Sequence, residues 1–112
     1  MNKLDEARER LTGNWHQGEW GDVGGPGPVC VLGALAEVLG YKYDREAEDL
    51  ESTPTTLMMT AEYIALQDVV FEYSGRITGD PAVLNDDDRT TEEDIHIVLK
   101  KASVLLDERL GT

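Results

Sequence analysis

The stretch Val29-Cys30-Val31-Leu32-Gly33-Ala34-Leu35-Ala36-Glu37-Val38-Leu39 carries a single charge in eleven residues. A membrane span needs about 20 apolar residues, so this run is too short to cross a bilayer. A helix that is apolar around nearly its whole circumference is buried by its neighbours. The run predicts a central helix over 29–39, with Pro28 at its first position and Gly40 as its stop. Gly33 costs about 1 kcal/mol relative to alanine in a helix interior. With Ala34 and Ala36 it makes a small-residue surface that suits the close approach of another backbone.

The remaining segments must pack around that helix. A chain of 112 residues is one domain, long enough to bury about two-thirds of its unfolded surface without metal or disulfide. Its one cysteine excludes an intrachain disulfide and fits a reducing cytoplasm. Met1 to Glu6 lacks the apolar run of a secretory signal, so the expected location is cytoplasmic. The net charge is −13, with 11 acidic against 5 basic side chains in residues 1–56 and 12 against 5 in residues 57–112. No basic patch survives that balance, which argues against direct nucleic-acid binding and against adsorption to an anionic membrane. A basic protein partner would be attracted and steered.

Residues 2–12 read as a helix capped by Asn2, with Leu4, Ala7 and Leu11 on one stripe and Gly13 as its end. Residues 13–28 hold six glycines, two prolines and both tryptophans, which predicts a long loop with a short strand over Trp15–Trp20. In an extended stretch those two indoles point to opposite faces, one toward the core and the other near the surface. Asp44 to Leu50 suggests a short helical turn.

Pro54, preceded by Ser52 or Thr53 as cap, predicts one long helix to about Tyr73. Its apolar residues divide into two faces. Leu57, Ala61, Ile64, Ala65 and Phe71 form one; Met59, Tyr63, Leu66, Val70 and Tyr73 form the other. A helix apolar on two sides is sandwiched within the protein or turns one side to another molecule. The second face is therefore the expected interaction surface, for a protein partner or a homodimer. Asp68 projects from the first face, where it needs a partner if buried; a shifted register exposes it. Asp80 to Arg89 reads as a connection. Thr90 and Glu93 form a capping-box pattern opening a last helix over 91–110, whose inward stripe is Ile95, Leu99, Ala102, Leu106 and Leu110, with Gly111 as its stop. The expected fold is a compact, mainly α-helical domain over 1–112, with four principal helices near 2–12, 29–39, 54–74 and 91–110.

Gly13-Asn14-Trp15, Gln17-Gly18, Cys30-Val31-Leu32-Gly33-Ala34-Leu35, Leu84-Asn85-Asp86 and Arg89-Thr90-Thr91-Glu92-Glu93 form an ordered set. This order resembles a family of small actinobacterial and actinobacteriophage proteins of unknown function. That family pairs a Gly-Trp loop with a Cys-x-x-Gly-Ala-Leu helix and a Trp-Asn-Asp element; Leu84 replaces the last motif's tryptophan here. The resemblance implies a fold and a source rather than a chemistry. Physically, the shared positions suggest a polar knot of Trp15, Gln17, Cys30, Asn85 and Asp86. In it Asn85 or Asp86 ties the loop to the last helix beside Cys30, since short polar side chains bind free backbone groups before helices.

Cys30 near a helix start, with His16 or His96 and Asn85, outlines a cysteine-nucleophile site. Its apolar surroundings favour an inert small hydrophobe instead. Asp86, Asp87 and Asp88 lack the order of a calcium loop, and acidic residues before a helix follow from the helix dipole alone. Gly24-Gly25-Pro26-Gly27 lacks the lysine and hydroxyl residue of a phosphate loop. The expectation is a non-enzymatic protein-interaction protein with no cofactor and no metal. The alternatives are a cysteine-dependent enzyme using Cys30 and an acidic mimic of nucleic acid.

Overall fold

The computed structural model describes residues 2–18, 20–41 and 55–111. The predicted turn at 44–50 and the predicted cap and start at 52–54 lie outside them. The described residues form a mainly helical domain of six helices, four of them eight residues or longer. They contain isolated β-bridges in place of the predicted strand.

Helix α1, Lys3–Leu11, begins at Asn2, whose side chain accepts from the amides of Leu4 and Asp5 while the Asp5 carboxylate accepts from Asn2 N. The Asn2 amide group also donates to Ser103 O and to Asp107, both at 3.1 Å, fastening this end to the C-terminal helix. Leu4, Ala7 and Leu11 are buried as their spacing predicts.

Helix α2, Val31–Val38, starts two residues later than the apolar run suggests. Val29 is recruited by the loop instead. Its amide donates to Asn14 O and its carbonyl accepts from His16 N, while Pro28 O accepts from Asp22 N and Cys30 N donates to Trp20 O. Residues 28–30 are thereby held extended between the two arms of the loop. Pro28 lies outside the helix and Cys30 becomes its N-cap. Val31 to Ala36 are all buried. Gly33 is where the loop lands: a Cβ there would overlap the carbonyl oxygen of Trp20.

The predicted helix to Tyr73 is two helices, α3 (Thr55–Met58) and α4 (Ala61–Tyr73). The break has a local cause. Thr60 Oγ1 donates to Leu57 O and accepts from Tyr63 N, closing one helix and capping the next. Helical phase is lost at the break, so the face drawn through Met59, Tyr63, Leu66, Val70 and Tyr73 does not exist as one surface. Tyr63, Leu66 and Val70 are buried in the core, whereas Met59 is 73% exposed and Tyr73 lies at the edge. Asp68 faces solvent and pairs with Arg109 at 2.6 Å.

Asp80 to Asp86 is more than a connection: Asp80 caps a short helix α5, Pro81–Asp86, with Pro81 at its start. Helix α6, Glu92–Leu110, carries a capping box one residue later than predicted, Thr91 with Asp94, because Thr90 N is used in a turn with Asp87 O. Ile95, Leu99, Ala102 and Leu106 are buried with Val98, but Leu110 is exposed. Helix α6 packs on α4 and α1, α1 packs on α2, and α5 bridges α2 and α4. Trp15 and Trp20 are both half-buried against the common core, so neither indole is set aside for the surface.

Candidate functional site

A loop of backbone with few side chains has polar groups that must find partners from outside itself. Two side chains from outside the loop bind four of its carbonyls between them. The first is Asn85, in the last turn of α5, which is fully buried. Its Oδ1 accepts from the Trp15 indole N–H at 2.7 Å and from Val31 N, at the start of α2, at 3.0 Å. Its Nδ2 donates to His16 O and to Asp86 Oδ1, both at 3.0 Å. Both acceptor positions and both donors of the carboxamide are therefore used. The Asp86 carboxylate also accepts from Gly18 N at 2.7 Å. Gln17 Nε2 donates to the carbonyls of Asn85 and Asp87. Trp15, Gln17, Asn85 and Asp86 thus meet in one network. It ties the loop to α5 and to the N-terminus of α2, rather than to the last helix.

Cys30 borders this network through its neighbour Val31. Gly33 N donates to Cys30 Sγ at 3.2 Å, so the thiol fills the capping role usually held by a hydroxyl or carboxylate. Burial pushes the Cys30 thiol above its ordinary range, against the lowering effect of the Gly33 amide. His96 lies 3.4 Å from Glu92 on its own helix, and the His16 backbone is bonded to Val29 and Asn85. Two carboxylates of the acidic run are likewise occupied. Asp86 holds the loop, and Asp87 pairs with Arg89, whose guanidinium keeps that carboxylate below its usual range. Among the described residues no group of three or more His, Cys, Asp or Glu side chains is placed to hold a metal ion.

The second organising side chain is Arg10 on α1, which the sequence reading missed. Its Nη2 donates to the carbonyls of Asp22, Gly25 and Gly27 at 3.1, 2.7 and 3.0 Å, and its Nε donates to Glu37 at 2.6 Å. The other Glu37 oxygen accepts from Gly24 N, and Asp22 accepts from Gly27 N. Nothing in the spacing of Arg10 marks it: residues 21–28 carry eight carbonyls and six backbone N–H groups, and only the fold brings the guanidinium to them.

A shallow groove of about 300 Å³ runs between α4 and α6, lined by Asp68, Val69, Glu72, Tyr73, Lys101 and Leu105. The Tyr73 hydroxyl donates to Asp94 at 2.7 Å, which with the Thr91 amide holds the Asp94 carboxyl below its usual range. Lys101 lies over the Tyr73 ring, 5.7 Å from its centre.

The model of a family of unknown function, DUF6197, matches residues 2–104 of the chain. The chain belongs to that family. No curated protein and no solved structure matches it. The match to DUF6197 spans both ends of the polar network, from Trp15 to Asn85, and both staples of the loop. No helix among the described residues of this DUF6197 chain is long and apolar enough to cross a membrane.

Proposed function

We propose that this DUF6197 chain is an acidic, non-enzymatic protein-interaction protein that works in the cytoplasm on a basic protein partner. The observation that carries this reading is the closed network at Asn85. Its polar groups are consumed by one another and by the loop backbone, and the neighbouring thiol is spent as a helix cap. A site built for catalysis holds a nucleophile and a base within reach of each other and of a substrate. Here the same residues serve to hold a loop rigid. What the molecule offers outward is its charge of −13, including the exposed Asp88 and Glu93. Complementary charge of that size steers a basic partner and speeds encounter. The resemblance to small actinobacteriophage proteins supports a bacteriophage source, with a host protein as the partner.

The immobilised chain, exposed to host lysate, is expected to retain a basic protein. The purified partner should then bind Asp88→Asn/Glu93→Gln at least several-fold more weakly, and binding should fall steeply with salt. Retention of an acidic protein by salt-insensitive contacts would overturn the charge argument. Rapid alkylation of Cys30 in the folded chain would favour cysteine chemistry instead.

A further inference from the structure

The exposed stripe of α6 carries a pattern of which the fold uses only Lys101, over the Tyr73 ring. Ile97, Lys100, Lys101, Val104 and Glu108 all face solvent, at the spacing that keeps residues on one side of a helix. Val104 is 53% exposed. Lys100 stands four residues before it and Glu108 four residues after it. The side chains of Lys100 and Glu108 form no ion pair or hydrogen bond with the rest of the described chain. Two unused charges of opposite sign thus bracket an exposed apolar residue at equal distances.

We propose that this stripe binds a second copy of the same chain, with the two α6 helices antiparallel and crossing at Val104. A two-fold axis through that point sets residue 100 of one copy opposite residue 108 of the other. Lys100 of each molecule then meets Glu108 of its partner, twice, with Val104 against Val104 between them. This is the arrangement by which flanking charges choose partner and orientation in helix pairs. The charge also discriminates between occupants. A basic partner on this stripe would meet the adjacent lysines Lys100 and Lys101, whereas a second copy brings its own Glu108. Adjacent lysines also mark a place where two strongly acidic molecules can approach with less repulsion. Their long-range repulsion is damped at about 0.15 M salt, where the screening length is about 8 Å. Exposed ion pairs contribute little each, so the expected dimer is weak, with a dissociation constant of about 0.1 mM.

The test is sedimentation equilibrium of the full chain at about 0.5 mM protein and about 0.15 M salt. The wild-type mass should lie well above the 12.4 kDa monomer. Lys100→Glu and Glu108→Lys should each lower the association constant at least about tenfold, because each sets like charges opposite one another. Glu108→Lys reduces the net negative charge yet should still dissociate, which separates local pairing from overall repulsion. An equimolar mixture of the two single variants should recover the dimer, since both cross-pairs become attractive. A monomeric wild type would overturn the proposal. So would single variants that dimerise like the wild type, or a mixture that stays monomeric.

Discussion

The indole nitrogen of Trp15 donates to the carboxamide oxygen of Asn85 at 2.7 Å, across seventy residues of chain. The same oxygen accepts from Val31 N, so one buried atom joins the loop, the central helix and the short helix α5. Removing one partner from a buried pair leaves the other unsatisfied, which costs more than the bond itself contributes.

Asn85→Ala should therefore destabilise the protein by about 2–4 kcal/mol, since it strands the Trp15 indole, Val31 N and His16 O together. Thermal unfolding should fall by roughly 10 °C or more. The tryptophan emission of the folded variant should shift to the red as water reaches Trp15. A melting temperature unchanged within error would remove Asn85 from its central place.

Gly33→Ala separates local propensity from tertiary fit. Propensity alone makes alanine better by about 1 kcal/mol inside a helix. The structure predicts the opposite sign, because the added Cβ would overlap Trp20 O. Urea unfolding should show a loss of stability of about 1–3 kcal/mol. A gain would mean that the loop does not press on α2 at this point.

Arg10→Ala should loosen residues 21–28, because four acceptors lose their donor. Arg10→Lys should recover little, since an ammonium cannot reproduce a fork that meets three carbonyls and a carboxylate. Millimolar guanidinium ion fits the vacated cradle chemically. It should raise the melting temperature of Arg10→Ala while leaving that of the wild type unchanged. Amide exchange at Gly24 and Gly27 should accelerate in the variant and slow again with guanidinium.

Cys30 should be unreactive while folded, because burial disfavours the thiolate. Its folded pKa is raised, so its contribution to stability is fully present below the unfolded thiol pKa of about 8.5 and fades as pH rises through that region. Iodoacetamide labelling at neutral pH should be slow in buffer and fast in urea. Cys30→Ser should keep the helix cap and remain within about 1 kcal/mol of the wild type. Cys30→Val should cost more, because the amide of Gly33 loses its acceptor.

The features legible in the sequence were those set by near neighbours. Asn2 as a cap, the stripe Leu4–Ala7–Leu11 and the apolar run through Ala36 depend on spacing alone. Asp80 before Pro81 is an equally local helix signal, and it was there to be read. The division at Thr60 was harder, because its hydroxyl can bond within a helix or end one, and the choice depends on where the flanking turns pack.

Periodicity by itself determined that the chain would be helical and which stretches would be apolar. Only the tertiary structure decided which apolar face became core: α6 lies against α4, and that placement buries Tyr63, Leu66 and Val70 while leaving Met59 in solvent. Only tertiary structure, too, made Arg10 and Asn85 the fastenings of the loop. A backbone carbonyl has no sequence signature, and its need for a donor from elsewhere appears only when the chain is folded around it.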